Sequence, residues 1–129
     1  MKITRFEDLE CWQEARNLVR KVYGATSDGG FKKDLRLSGQ IQAAAASVMA
    51  NIAEGFIRHS DKEFMQFLFI AMSSAAEAQS HLYIALDQGY VEQKQFDEIY
   101  KQANKTAMII SGLIRYLRTK STKQTKQTK

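Results

Sequence analysis

Residues 40–55, QIQAAAASVMANIAEG, contain the pattern that decides the fold of this 129-residue chain. Alanines lie there among a few larger apolar residues, and Gln40, Ser47, Asn51 and Glu54 follow one another at intervals of seven, four and three. On an α-helix these spacings return to one face. A helix with small residues on one side and a polar stripe on another is suited to close contact with neighbouring helices. The segment therefore predicts a helical, closely packed protein.

The composition favours the same conclusion and bounds the cellular setting. The chain has no proline, which favours long uninterrupted helices because proline removes a backbone donor. Its one cysteine, Cys11, excludes an intrachain disulfide and favours a reducing, cytoplasmic location. The acidic residues of the N-terminus do not fit a secretory signal, and no segment has the twenty or so apolar residues of a membrane span. We expect no membrane partner.

Apolar periodicity predicts four helices, over residues 6–26, 33–56, 60–88 and 92–118. Ser27–Gly30 is the first break, Ser60 and Glu63 form a capping box, and Gly89 is a helix stop. No β-type alternation competes with this pattern. Four long helices with short connections predict an all-α fold, an antiparallel up-down-up-down four-helix bundle over residues 1–119.

Two details of this prediction concern packing. The second helix contains Gly39, which suggests that a neighbouring backbone comes close there, whereas Gly55 either ends the helix or lies in its last turn. The first helix is expected to bury the apolar residues that recur every three or four positions. These are Phe6, Leu9, Trp12, Ala15, Val19, Val22 and Tyr23.

The net charge of +5 comes mostly from one segment. Of 19 lysines and arginines, four lie in the last ten residues, KSTKQTKQTK, which contain no acid; the other 119 residues carry 15 basic and 14 acidic side chains. Without apolar side chains, residues 120–129 are expected to form a disordered basic tail. This tail is either a solvated or vestigial extension or an arm that binds phosphates by counterion release.

Candidate catalytic residues are few. His59 and His81 are the only histidines, and Cys11 is expected to be a small buried hydrophobe rather than a nucleophile. A di-metal carboxylate site needs two Glu-x-x-His pairs, but Glu77 and His81 are four residues apart and no second pair exists. We therefore expect no catalytic, cofactor or metal site, and a protein that is not an enzyme.

The polar stripe of the second helix has a counterpart on the third. We expect these residues to form either an internal hydrogen-bond network that fixes register, or a subunit interface or ligand-facing surface. Alanines 46, 50, 75 and 78 would let the two backbones approach. The stripe comprises Gln40, Ser47, Asn51, Glu54, Ser74 and Glu77.

A basic cluster surrounds the loop that joins the first two predicted helices. It is either a solvated helix end matched to the dipole or a phosphate-contacting surface. Binding there would be non-specific because neither interleaved aromatic residues nor base-reading groups accompany the cations. Its members are Arg16, Arg20, Lys21, Lys32, Lys33 and Arg36.

The motifs also resemble those of a known family, the four-helix-bundle proteins related to the 23S rRNA-intervening-sequence (S23) proteins. The resemblance covers roughly residues 5 to 118, and its most specific part is the Asn51-Ile52-Ala53-Glu54-Gly55 ending of the alanine-rich helix. The supporting matches are Phe6, Leu9, Trp12, Ala15, Val22-Tyr23, Glu63-Phe64, Phe67-Leu68, Ala71, Ser74, Glu77 and Gly89-Tyr90.

The resemblance implies a homo-oligomer, a ring of five, and implies RNA or DNA binding only loosely. This chain departs from the family where Gln42 and Ala43 replace a pair of arginines, and where Lys32 replaces a proline after Phe31. Losing two cations weakens the nucleic-acid interpretation. We therefore expect a non-enzymatic oligomeric scaffold or adaptor with weak, non-specific nucleic-acid affinity; the alternative is an RNA- or DNA-binding accessory protein that uses a basic surface of the oligomer.

Overall fold

A computed structural model describes the backbone of residues 2–127 and the side chains of residues 2–120. Within this part of the chain the protein is all-α, as predicted, and no strand occurs. The elements in chain order are a 3₁₀ turn at Phe6–Asp8 and the helices α1 (Glu10–Ala25), α2 (Gly29–Lys33), α3 (Leu35–Phe56), α4 (Asp61–Asp87) and α5 (Gln93–Gln127).

Near the N-terminus one predicted boundary was wrong, and one predicted break contains a helix that was not predicted. The first long helix begins at Glu10 rather than at Phe6, because Leu9 is extended (φ −72°, ψ 128°) and separates α1 from the 3₁₀ turn. The predicted break after Ser27 is present, but it contains the short helix α2. Gly29 enters this helix with φ +63°, a conformation that glycine adopts at little cost. Asp34, with ψ 82°, separates α2 from α3.

Both ends of α4 follow from the local sequence. At its start the Ser60 hydroxyl accepts a hydrogen bond from the Glu63 backbone N–H at 3.2 Å and donates one to Glu63 Oε2 at 3.1 Å. At its end Gly89 has φ +75°, its N–H bonds to the Leu86 carbonyl at 3.0 Å, and the next N–H bonds to the Ala85 carbonyl at 2.8 Å. The two bonds at Gly89 and Tyr90 form a Schellman motif, so the glycine stop was predicted correctly. Ser60 caps α4 as predicted, and Glu63 bonds back to the Ser60 hydroxyl rather than to the backbone N–H of the full capping box.

The four long helices pack around one core. Helix α3 lies against α4, α4 against α5, α5 against α1, and α1 against α3, so the contacts form a closed cycle. Each helix contributes fully buried side chains to the cluster between them. The largest include Leu18, Val22, Ile41, Val48, Ile52, Leu68, Leu82 and Ile110.

The inner face of α1 agrees with the prediction at Ala15 and Val22 and differs from it at other positions. Helix α1 buries Cys11, Ala15, Leu18, Val22 and Ala25. Trp12 and Val19 are instead half-buried and Tyr23 is exposed, so the true inner stripe is rotated away from the predicted one. The expectation that Cys11 is a small buried hydrophobe is confirmed, since its side chain is 1% exposed.

The close approach between helices occurs at Gly55 and not at Gly39. A Cβ atom added at Gly55 would lie 2.7 Å from Phe67 Cβ and 3.0 Å from Phe64 Cδ1, both on α4. A Cβ atom added at Gly39 would have no neighbour within 4 Å, so the expectation of a nearby backbone there was wrong within this chain. Gly55 lies in the last turn of α3, at the level where α4 begins.

A polar and aromatic corner closes the end of the molecule near α2. The Asp34 carboxylate caps α3 by accepting a hydrogen bond from the Leu37 N–H at 3.0 Å, and its other oxygen accepts one from the Tyr90 hydroxyl, also at 3.0 Å. The Tyr90 ring stacks on Phe31 with centroids 5.6 Å apart. The hydrogen bond to Asp34 raises the pKa of Tyr90 above its usual value. Phe31 and Tyr90, which belong to the family resemblance, therefore hold the α2 corner together.

The last helix extends past the predicted end of the fourth helix. Helix α5 has the bounds Gln93–Gln127, and Lys120 lies with its Nζ 3.7 Å from Asp61 Oδ2. The predicted disordered tail of residues 120–129 falls outside the described side chains apart from Lys120, so its disorder stays a prediction.

Candidate functional site

Three members of the predicted polar stripe form a hydrogen-bonded group between α3 and α4. The hydroxyl oxygens of Ser47 and Ser74 lie 2.9 Å apart across the two helices. Asn51 Nδ2 donates to the Ser47 backbone carbonyl at 2.8 Å and to Ser47 Oγ at 2.9 Å. Ser74 is buried, and the other two side chains are half-buried. This group joins the helices and has the geometry of a register-fixing contact.

The structure does not bring the other three stripe residues into this group. Gln40 is exposed. Glu54 is exposed and accepts a hydrogen bond from Arg58 Nη2 at 2.8 Å, one turn further along the chain. Glu77 is also exposed, with its Oε2 3.9 Å from His81 Nε2 on the same helix. The stripe is therefore a short internal contact flanked by solvated side chains.

The alanines that were expected to bring these helices together divide into two pairs. Ala75 and Ala78 are buried in the core, whereas Ala46 and Ala50 are exposed on the outside of α3. Small residues therefore face both the interior and the solvent.

An exposed apolar surface, which the sequence analysis did not identify, lies on α4. Phe69, Ile70, Tyr83 and Ile84 are each 45–50% exposed. We call this surface the α4 outer face; besides these four side chains it includes the small exposed residues Ser73, Ala76 and Ser80. The sequence carried a signal for it, because Phe67-Leu68-Phe69-Ile70 is an apolar run too continuous for one helix face.

The α4 outer face carries one exposed charge, Glu77, which lies between Ile70 and Ile84 and seven residues from each, and charges are otherwise sparse along this helix. No charged residue occurs between Glu63 and Glu77, and no lysine or arginine occurs between Lys62 and Lys94. Exposed apolar patches of this kind are typical of interaction surfaces.

The six members of the predicted basic cluster are all exposed, and two of them line one cavity. Arg16 and Arg20 lie on α1 and line a surface cavity of about 420 Å³ together with Arg5 and Trp12. We call it the α1 cavity. The Arg16 guanidinium carbon lies 6.0 Å from the centre of the Trp12 ring. This arrangement supplies the aromatic partner that the sequence analysis did not find next to the cations.

The remaining cations occupy neighbouring elements. Lys21 is in the last turns of α1, Lys32 and Lys33 end α2, and Arg36 lies in the first turn of α3. None of these four lines the α1 cavity.

One acidic side chain also lines the α1 cavity. Glu7 Oε2 is 3.1 Å from Arg5 Nη2. The pKa of Glu7 is lowered because a backbone hydrogen bond, and then Arg5, favour its ionised form. Three arginines and one carboxylate leave the cavity with a net positive charge. The signal for Arg5 was missed because it precedes the predicted first helix.

Groups that carry enzyme chemistry are sparse in the described part of the chain. Within residues 2–120 no three His, Cys, Asp or Glu side chains lie close enough together to hold a metal ion. Burial raises the pKa of Cys11 to about 11, so its thiol stays protonated. The buried His81 Nδ1 has no hydrogen-bond partner among the described residues. No described helix is both long and apolar enough to cross a membrane.

Comparisons with known proteins bear on the family and the fold of this chain. The sequence model of the family described as "23S rRNA-intervening sequence protein" matches residues 7–112. The structure is similar to a crystal structure of a protein of unknown function from the S23 ribosomal protein family of Bacteroides thetaiotaomicron. The two share 20% sequence identity and a TM-score of 0.73, over 81% of this chain and 97% of that one. No curated protein matches the sequence.

Proposed function

Since the chain belongs to the 23S rRNA-intervening sequence protein family, we propose that it is a non-enzymatic, self-assembling helical scaffold or adaptor. Its helices form an antiparallel up-down-up-down four-helix bundle. The closed cycle of packing among α1, α3, α4 and α5, and the four-residue connection between α3 and α4, support this topology. The buried lone cysteine is compatible with a cytoplasmic location.

The observation that carries the proposal is the α4 outer face. Helix α4 has 27 residues and is therefore about 40 Å long, so its exterior is large enough to span a subunit interface. Four half-exposed large apolar side chains lie along it, with small residues between them that allow a second helix to come close. Burial of such surface is the main driving force of association.

The family resemblance implies a ring of five chains as the assembled state. In such a ring the α4 outer face contacts a different surface of the next subunit, since head-to-tail contacts are the ones that close into rings. The particle would then have five times the chain mass of 14.7 kDa.

Light scattering coupled to size-exclusion chromatography tests this proposal. The unaltered protein should elute as a particle of about five chains, and the double variant Ile70→Asp/Ile84→Asp should elute as a smaller species with unchanged helical circular dichroism. Met108→Asp is the matched control, because Met108 is exposed and apolar but lies on α5. A monomeric unaltered protein would contradict the assembly, and a double variant that still assembles would remove α4 from the interface.

A second function, RNA or DNA binding, is favoured by one specific observation, the α1 cavity. Arg5, Arg16 and Arg20 surround it beside Trp12, which combines phosphate-binding cations with a ring on which a base can stack. Gln13 and Asn17 also line the cavity, but their amide nitrogens donate to the Glu7 backbone carbonyl at 2.9 Å and to Glu14 Oε1 at 3.3 Å. Because these amides already have partners within the chain, we expect this binding not to depend on sequence.

Fluorescence anisotropy with a labelled single-stranded RNA tests this second function. Replacing Arg16 and Arg20 by glutamine should weaken binding and reduce the salt slope of log K by about 1.4, the value for two phosphate contacts on a single strand. The control is Lys94→Gln/Lys101→Gln, which removes two exposed cations of α5. A chain cut after Lys120 separates the contribution of the tail. If the unaltered protein does not bind RNA at low salt, this function is excluded.

A further inference from the structure

A cavity of about 440 Å³ opens at the end of the molecule where α3 leads into α4. We call it the end cavity. Its walls come from three separate segments: residues 2–3 before the 3₁₀ turn, residues 56–61 around the α3–α4 connection, and residues 113–120 of α5. Its size is in the range of small-ligand pockets. It shares no residue with the α4 outer face or the α1 cavity.

The floor of the end cavity is apolar. Leu9, Phe64 and Leu117 are buried there, and Ile3 and Leu113 are half-buried. These side chains offer no hydrogen-bond donor or acceptor. The floor can therefore hold an aliphatic body by its apolar surface but has no means of reading the edge of a nucleobase.

The rim of the end cavity is cationic. Lys2, Arg58 and Lys120 line it beside a single carboxylate, Asp61. The lining side chains carry an excess of two positive charges, and the ion pair of Arg58 with Glu54 at 2.8 Å reduces the local excess to one. Arg58 also bonds to Glu54, which does not line the cavity.

The ion pair at the rim can give way to an incoming anion. Lys120 Nζ and Asp61 Oδ2 lie 3.7 Å apart, and their side chains are 43% and 30% exposed. A solvated pair of this kind is weak, so Lys120 can turn to another negative group. The start of α4, where Ser60 and Asp61 also line the cavity, adds the positive end of a helix dipole.

We propose that the end cavity binds an amphipathic anion, a molecule with one apolar tail and a carboxylate or phosphate headgroup. The tail lies on the floor formed by Leu9, Phe64 and Leu117, and the headgroup meets Arg58 and Lys120 at the rim. A free carboxylic acid and a phosphate ester share this chemistry. The inference is independent of assembly and of nucleic-acid binding.

Isothermal titration calorimetry on the full chain tests this site with five probes of known chemistry, each below its aggregation concentration. Decanoate and decyl phosphate should both bind, and the ratio of their Kd values shows whether the site prefers a carboxylate or a phosphate headgroup. Decanol, which has the tail without the charge, and decyltrimethylammonium, which has the opposite charge, should bind at least about tenfold more weakly. Adenosine monophosphate, which has the phosphate but a polar base, should not compete.

Two variants locate the binding. Arg58→Gln/Lys120→Gln alters only exposed side chains and should raise the decanoate Kd by about tenfold, whereas Lys94→Gln/Lys101→Gln should leave it unchanged. Leu113→Trp fills the cavity from α5 and should abolish binding, with helical content and particle size as the checks on folding. The proposal is overturned if neither anion binds, if decanol binds as tightly as decanoate, if the rim variant binds normally, or if adenosine monophosphate binds more tightly.

Discussion

Gly55→Ala should destabilise the protein even though alanine is the better helix former. The added Cβ atom would lie 2.7 Å from Phe67 Cβ, whereas carbon atoms in favourable contact are about 3.5–4.0 Å apart. Because the atom that it meets is a Cβ, fixed to the backbone of α4, the two helices must separate at this level. Overpacking of this kind typically costs about 1–3 kcal/mol.

The opposing term is smaller. Alanine in place of glycine gains up to about 1 kcal/mol in a helix interior, and less in the last turn, where Gly55 lies. We therefore expect a net loss of about 1–2 kcal/mol. For a domain of this size, that loss lowers Tm by about 4–8 °C.

Gly39→Ala is the matched control, since the same substitution is made in the same helix but into open space. It should stabilise the protein by about 0.5–1 kcal/mol, because only the propensity term remains. Urea unfolding, followed by circular dichroism and by the fluorescence of the single tryptophan, measures both changes. All variants must be compared at one protein concentration, because assembly makes stability concentration-dependent. If Gly55→Ala gains as much stability as Gly39→Ala, the close approach of α3 and α4 is refuted.

Three further predictions follow from single contacts. The carboxylate of Glu14 accepts a hydrogen bond from Gln102 at 2.9 Å, and this bond lowers the pKa of Glu14. The stability that the ionised carboxylate contributes is therefore present above the unfolded-state pKa and is lost as pH falls through the folded-state pKa. Glu14→Gln should flatten the dependence of unfolding free energy on acidic pH, and an unchanged slope would contradict this. The thiol of Cys11, buried with a pKa of about 11, should react with a thiol reagent only in denaturant, and rapid native-state labelling would show that the site opens. Ser47→Ala and Ser74→Ala should each lower the free energy of unfolding by about 1 kcal/mol, and the double variant should lose less than the sum of the two. A double-mutant cycle should give a coupling energy of about 0.5–1.5 kcal/mol, whereas strict additivity would mean that the hydrogen bond between the two hydroxyls contributes nothing.

The inner faces of α3, α4 and α5 could be predicted from periodicity because their large apolar residues point mainly inward. On α3 and α4 the residues Ile41, Val48, Ile52, Leu68 and Leu82 follow the helical repeat and are all buried, as are Ile99, Ile110, Ile114 and Leu117 on α5. These helices also carry capping and stop residues whose effect is local, and local effects are readable from sequence.

Helix α1 was harder to read because its aromatic residues are not core residues. Trp12 packs against the Phe6 ring, with centroids 5.3 Å apart, and against Arg16, while Tyr23 is half-exposed. Apolar periodicity alone would place such residues on the inner face of the helix. The smaller Leu18 and Cys11 occupy the core instead.

The candidate surfaces depend on tertiary distances that no spacing rule supplies. Gly39 and Gly55 lie on the same helix, and only the position of α4 determines which of them is crowded. Likewise, Arg5 joins Arg16 and Arg20 only because the segment before α1 folds back beside that helix. The polar stripe was grouped by helical phase, but phase does not determine which side chains meet a partner on α4: Ser47 meets Ser74, whereas Gln40 and Glu54 are exposed.

The cyclic packing of the helices has a consequence for the order in which the protein folds. Helices α3 and α4 are joined by four residues and touch along their length, so they can pair with little loss of loop entropy. The contact between α1 and α5 joins Glu14 to Gln102, 88 positions away in sequence, and closes the cycle at a much greater entropic cost. The α3–α4 hairpin should therefore be structured in the folding transition state, and the α1–α5 contact should form after it. In stopped-flow experiments, substitutions at Ser74 should mainly slow folding, and substitutions at Glu14 should mainly speed unfolding.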